Sequence, residues 1–576
     1  MTEIDRRALL RSGLAATALG ALGAAGGCTT AASPAKTGKP ATGPHLIGPD
    51  SAQVAATEAA RSKTGRTVAA ALAATAGPVD LGGVVVNTWS YHGQVPGPEI
   101  RVRKGDVLQA TVGNQLPAQT TVHWHGVTLR NNMDGVPMMT QAYVPQGQNF
   151  TYQFTASDPG TYWYHPHAGV QLDRGLYGPL IVEDPSEPAP YDHDWTVVLD
   201  DWIDGTGYTP DQVLAGLRQG MGDMNMPSAS PSPSMTGMGG MNRPSASPSP
   251  SMTGMAGMGM AAASPSPMSG MNAMNGTASS PAASPMPGMG SNGTSNSSPM
   301  LSGAASPLLG GDAGDVRYPY YLINGRIRTA PRTFTARPGQ RARIRFINAG
   351  ADTAFRVALS GHTMTVTHTD GYLVTPVQAD ALLIGMGERY DVQVTLGDGV
   401  FPLVALAEGK NSTALALVST GMGTSPAPDV VPRELYAAVA RYDALHAAGR
   451  AALPARQPDV TYKLQLTGGM ARYNWGINGR AFDMTQPGAM RFLMRQGQRV
   501  RVVFANHTTM YHPMHIHGHT FRAGPAGPRK DTVMVLPHQQ VACDFDADNP
   551  GQWMTHCHNL YHSPEGGMMA VLGYQT

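Results

Sequence analysis

Three times along this 576-residue chain a glycine is followed nine residues later by an asparagine, with a strand-like alternation between them. The copies are Gly105 to Asn114 (KGDVLQATVGN), Gly339 to Asn348 (PGQRARIRFIN) and Gly497 to Asn506 (QGQRVRVVFAN). Apolar and polar residues alternate in each, as a half-buried strand requires. Nine and eleven residues past each Asn stand His123 and His125 in the first copy, His515 and His517 in the third, and Val357 and Leu359 in the middle one. One unit is used three times, and its middle copy lacks the imidazoles. A second pattern closes the outer copies. Asp158-Pro159-Gly160 leads in five residues to His165-Pro166-His167, and Asn549-Pro550-Gly551 leads in five to His556-Cys557-His558. Short runs punctuated by Gly, Pro and Asn predict an all-β chain of three tandem β-sandwiches, with longer amphipathic periodicity only near 432–453.

Composition narrows the function. The net charge is +1 and only 14% of residues are charged, against about 25% in an ordinary soluble domain. Such a surface has no basic patch for nucleic acid, so that class of partner is set aside. Three cysteines without a CxxC pair exclude a disulfide framework and an all-cysteine zinc site. Cys543, in QVACDFD, reads as a small buried strand residue.

At the N-terminus Arg6-Arg7 precede a weakly apolar run from Ala8 to Gly27 that ends at Cys28. This reads as a twin-arginine export signal. Ala25-Gly26-Gly27-Cys28 resembles a lipobox, which favours a lipid anchor at Cys28 on the outer face of the cytoplasmic membrane over simple cleavage or an uncleaved tether. The resulting division is a signal at 1–28, a linker at 29–74, and sandwiches at 75–187, 188–425 and 426–576. A Met-, Ser- and Pro-rich insert occupies about 221–311 of the second sandwich.

Ten of the nineteen histidines fall in four short segments: HWHG (His123, His125), HPH (His165, His167), HPMHIHG (His512, His515, His517) and HCHNLYH (His556, His558, His562, with Cys557). Residues two apart on a strand share a face, so each HxH unit can aim two imidazoles into one cleft. Trp124 and Ile516, between paired histidines, then face the other way. Imidazole accepts copper, iron, nickel or zinc, but a Cys between two of the histidines, with further His and Met close by, favours copper. His362 and His368 fall in the middle copy without paired partners, so core or surface roles are expected of them.

With these four motifs in this order, the chain from about residue 75 onward, the insert excepted, resembles a three-domain bacterial multicopper oxidase built from cupredoxin-like Greek-key sandwiches. The resemblance implies four copper ions. His512, Cys557 and His562 would hold the type 1 copper, and His123 with His515 the type 2 copper. His125, His165, His167, His517, His556 and His558 would hold the type 3 pair. The family's weak axial ligand stands ten residues after the Cys, which here is Gly567; a one-residue insertion moves that role to Met568, with Met569 or no side chain as alternatives. Asp134, in NNMDGVP, matches an acid the family places near the type 2 site, against the plainer reading of an Asp-Gly turn. The family's second acid has no direct match. Glu565 is a candidate through the same insertion, although a solvated loop residue is the favoured reading.

Within the insert PSASPSPSMTGM occurs at 227–238 and again at 244–255, and sixteen of the chain's 33 methionines lie between Met221 and Met300. Pro and Gly at this density oppose helix and sheet, so a tether is expected. Its thioethers are soft donors suited to Cu(I). The insert resembles the Met-rich regions of bacterial copper-resistance oxidases, and HCHNLYH looks closer to that branch than to plant or fungal laccases. The resemblance therefore implies an exported cuprous oxidase using Cu(I) and dioxygen. A broad laccase or a ferroxidase is the runner-up, and a copper-sequestering lipoprotein the reading from another class.

Overall fold

A computed structural model describes residues 45–187, 191–219, 298–563 and 567–576. Cys28 with the export signal, the insert from 220 to 297, and Glu565 lie outside the described residues. From Leu46 onward the described residues are three sandwiches, each of two sheets. The first sandwich has two four-stranded sheets, the second two six-stranded sheets, and the third a six-stranded and a five-stranded sheet.

The three repeated strands, Val107–Asn114, Arg341–Asn348 and Arg499–Asn506, take the same slot in their sheets. Each has a parallel neighbour on one side (Thr67–Asp80, His193–Trp202, Val460–Thr467) and an antiparallel one on the other (Asn149–Thr155, Arg389–Thr395, Gln540–Asp546). The glycine of each repeat turns with φ of +85°, +78° and +84°, a conformation that costs L side chains about 1–2 kcal/mol. The asparagine explains itself in triplicate. Its side-chain amide donates to two carbonyls, Ala118 and Val144, Thr353 and Ile384, or Met510 and Val535. Its side-chain oxygen accepts the N–H of the residue two positions on. A buried amide satisfied in this way pins the end of the strand to the loop that leads to the second sheet.

Three expectations need correction. The segment 29–74 is not linker throughout: a helix spans Ala52–Ala60, and a strand begins at Thr67 and pairs in register with Val107–Asn114. Its Ala-rich sequence has little intrinsic strand preference, and the pairing with burial of Leu72 and Ala74 overrides that. The insert's last residues, 298–311, are ordered in small bridges, including Met300 to Val316 and Ala305–Ser306 with Gly311–Asp312. The periodic stretch 432–453 forms short 3-10 turns at Arg433–Tyr436, Tyr442–Ala444 and Gly449–Ala451 rather than a long helix. No helix among the described residues is long and apolar enough to cross a membrane.

A strap at residues 46–61 ties the outer sandwiches together. Leu46 bridges Gln575, Ile47 donates to Tyr574, Glu58 accepts from Thr155, and Arg61 reaches Ser157 and Asn549.

Candidate metal centre

The HxH strands meet where the first and last sandwiches face each other. His123–His125 pairs with the end of Gly160–His165, setting His123 opposite His165. In the last sandwich, His512–Ile516 pairs with Gln552–Cys557, setting His515 opposite His556 and Met514 opposite Cys557. The middle copy instead places Val357 and Leu359 in its own core. Trp124 packs among Tyr152, Phe154 and Tyr164, away from the histidines, and Cys543 is a buried core residue.

Two donor groups result. In the smaller, His512 Nδ1 and His562 Nδ1 lie 3.2 Å apart, and Cys557 Sγ lies 3.5 and 3.7 Å from them. All three are buried. Burial pushes the Cys557 thiol well up, so a thiolate there needs a cation beside it. The larger group gathers His123, His125, His165, His167, His515, His517, His556 and His558. His517 Nε2 and His556 Nε2 are 3.1 Å apart, and His167 Nε2 is 3.5 Å from His556 Nε2. The rings of His123 and His517, and of His125 and His515, stack at 3.8 Å. His556 and His558 belong to the larger group and Cys557 to the smaller, so one backbone segment joins the two.

The outward nitrogens state which atoms remain for a metal. Carbonyl oxygens can only accept, so the facing ring nitrogen carries the hydrogen. His123 Nδ1 donates to Asp134 O at 2.8 Å, His515 Nδ1 to Asp531 O at 2.9 Å, His165 Nδ1 to Pro166 O at 3.0 Å and His556 Nδ1 to Cys557 O at 2.8 Å. That leaves Nε2 of His123, His165 and His515 buried with no hydrogen-bond partner. His125 is reversed: Nε2 faces Asp531 Oδ1 at 3.1 Å, and Nδ1 is the buried atom without a partner. Burial, and then the neighbouring imidazoles, hold His165, His167, His517 and His558 far below the usual histidine range, and burial takes His556 down to about 3. Neutral rings with inward lone pairs, held from behind by carbonyls and carboxylates, fit a metal cluster. A thiolate with two imidazoles fits copper.

Asp134 is fully buried, with Oδ2 3.0 Å from His517 Nδ1 and Oδ1 3.2 Å from His123 Nδ1. Burial pushes its carboxyl up. Met568 is buried in the last core, its N–H donating to His562 O and its carbonyl accepting from Cys557 N. Met569, opposite His556, lines a cavity of about 60 Å³ with His165 and His167. Gly567 cannot be larger, because a Cβ there would overlap the His562 carbonyl. His362 and His368 stand apart from both groups: His362 bonds Ser360 O and Gly397 N, and His368 faces Glu187. A surface cleft of about 990 Å³ between Asp158, Glu187, Arg343 and Arg450 holds none of the cluster histidines.

Sequence reasoning missed Asp531, Arg389 and Asp315. Asp531 lies behind His125 and His515, with Arg389 bonded to both its oxygens at 2.7 and 2.5 Å. The available signal was the charged pair Lys530-Asp531 opening the apolar run TVMV.

Family models described as multicopper oxidase match residues 74–187, 304–422 and 455–575. The chain is 45% identical to multicopper oxidase MmcO of Mycobacterium tuberculosis over 527 residues, 91% of this chain and 90% of that protein. It is 27% identical to copper resistance protein A of Escherichia coli, over 88% of this chain and 94% of the relative. The solved structure of Fet3p, titled a multicopper oxidase that functions in iron import, aligns with a TM-score of 0.63 at 19% identity, over 88% of this chain and 90% of that one. At that identity the last likeness is one of fold.

Proposed function

Since the chain belongs to the multicopper oxidase family, we propose that it is an exported cuprous oxidase, lipid-anchored at Cys28, which oxidises Cu(I) and reduces dioxygen to water. On this reading His512, Cys557 and His562, with Met568 as a further weak donor, would hold a type 1 copper. His123 and His515 hold a type 2 copper, and His125, His165, His167, His517, His556 and His558 a type 3 pair. Copper so bound supplies one-electron uptake at the thiolate group and reduction of dioxygen at the histidine group. Four Cu(I) each give one electron, and dioxygen with four protons becomes two waters. Residues 556–558 provide a covalent route between the groups, and Asp134, against His517 and His123, is placed to pass protons.

The observation that carries Cu(I) as donor is the end of the Met-rich insert. Met300 bridges Val316, Leu301 N–H donates to Asp315 O and Arg317 N–H to Pro299 O. Asp315 Oδ2 in turn lies 3.6 Å from His562 Nε2, a buried nitrogen with no hydrogen-bond partner. Asp312 stands near enough to Asp315 for their charges to interact, and burial with that charge takes Asp312 up to about 6. Carboxylates beside the electron-entry imidazole suit a cation better than a neutral phenol, and an insert rich in thioethers, whose end at Met300 bridges Val316 next to Asp315, suits Cu(I) better than Fe(II). The copper-resistance relative agrees with this choice.

The test is oxygen uptake with Cu(I), Fe(II) and a phenol, for the full chain and for a deletion of 220–297 that spares the ordered stem from 298. Deletion should lower turnover at subsaturating Cu(I) and leave the phenol rate unchanged. Equal Cu(I) turnover in both proteins removes the copper-gathering role. Copper-loaded protein that consumes no oxygen with any donor, while binding many Cu(I), favours the sequestration reading.

A further inference from the structure

The middle sandwich supplies no imidazole, yet it presses a charged cluster against the back of the histidine group. Asp370, Glu388, Arg389, Lys530 and Asp531 are all fully buried. Asp370 and Glu388 with Arg389 come from the middle sandwich, and Lys530 with Asp531 from the last. Asp370 Oδ1 accepts Arg389 N–H at 2.9 Å, and its Oδ2 accepts the N–H groups of Asp531 and Thr532 at 3.2 and 3.1 Å. Lys530 Nζ lies 3.1 Å from Asp370 and 3.2 Å from Glu388. Arg389 also donates to Thr161 O and Gly387 O at 3.0 Å, so the guanidinium is fixed from three sides. Its fork holds the Asp531 carboxylate, whose Oδ1 accepts from His125 Nε2 and from Thr532 Oγ1. The turn at Gly387 packs so closely that a Cβ there would fall 2.9 Å from His558 Cδ2 and 3.0 Å from His125 Cε1.

We propose that Asp531, held by Arg389, is the positioning residue that makes His125 present Nδ1, and His515 Nε2, to the metal cluster. The inference rests on the oxidase reading above. A carboxylate facing Nε2 forces the hydrogen onto that nitrogen and leaves Nδ1 with its lone pair; Asp531's own carbonyl does the reverse for His515. Asp531 lies close enough to these rings to ligate a metal itself. However, both its oxygens are committed to the guanidinium, and a cation drawn to them would have to approach Arg389. The middle sandwich thus acts on the chemistry through hydrogen bonds, having lost the imidazoles of the repeat.

The experiment compares the copper-loaded parent with Asp531→Asn and Arg389→Lys, reading copper per chain, the blue thiolate absorption, the electron paramagnetic resonance spin count and oxygen uptake. An amide at 531 can offer N–H to Nε2, which puts the hydrogen on Nδ1. Asp531→Asn should therefore keep the blue band while losing copper from the histidine group or changing the spin count per copper. Oxygen uptake should fall about 10- to 100-fold, the usual scale for groups behind a metal ligand. Arg389→Lys keeps the charge but not the fork and should move the same readouts less. Unchanged copper, spin count and uptake in both variants overturn the proposal. Loss of the blue band together with all copper in both variants also overturns it, because that marks a purely structural role. A parent with no copper at the histidine group refutes the oxidase reading itself, and is told apart from these outcomes by the parent alone.

Discussion

Gly126, the glycine of HWHG, sits at φ +83° directly beneath the Arg389–Asp531 pair. A Cβ there would overlap Arg389 Nη2 and stand 2.5 Å from Asp531 Oδ2. Neither partner can yield, since both are fully buried and bonded on every side. Gly126→Ala therefore carries two costs: about 1–2 kcal/mol for an L residue in the left-handed region, and about 3–5 kcal/mol for parting a buried ion pair. Gly147 lies in the same sandwich at φ +77° with open space where a Cβ would go. Gly147→Ala should show the first cost alone. A chain with three cores need not unfold in one step, so the assay is amide hydrogen exchange of residues 121–131 in copper-free protein, which reports local opening. Relative to Gly147→Ala, Gly126→Ala should raise the opening equilibrium of that segment at least about a hundredfold, since each 1.4 kcal/mol is tenfold. Equal exchange in the two variants would refute the reasoning, for it would mean the ion pair is free to move aside.

Two further outcomes concern the thiolate group. Cys557→Ser should abolish the blue thiolate absorption and reduce copper by one ion per chain, measured by optical spectroscopy and metal analysis; a persisting band sinks the assignment of His512, Cys557 and His562. Met568→Leu should raise the potential of that copper in a redox titration, because a weak axial thioether is lost. Met569→Leu should leave it unchanged, since Met569 pairs with His556 on the neighbouring strand, whereas the backbone of Met568 is bonded to both Cys557 and His562. A shift only in the Met569 variant reverses the assignment.

The four histidine motifs were legible because paired ligands on strands must recur at a spacing of two, and their repeated frame announced which sandwiches would meet. The repeat asparagines were visible as a pattern, but their role as strand-end clamps needed the loop carbonyls they reach. Thr67–Ala74 was hidden, because alanine carries almost no strand signal and the pairing partner lies about forty residues away. Asp531 and Arg389 were hidden for a different reason. Each looks like an ordinary charged residue of a strand, and only the packing of the middle sandwich against the last brings them together. Asp315 lies just past the insert's boundary, where the neighbouring low-complexity sequence hides an ordered stem.

The strap at residues 46–61 has a consequence for the order of assembly. Leu46 and Ile47 find their partners at Gln575 and Tyr574, so this strap stays undocked until residues 574 and 575 have been made. The histidines obey the same timing, since half of the larger group lies beyond residue 514. A growing chain therefore offers a metal only partial sites, and all eight histidines of the larger group are present only once residue 558 has been made.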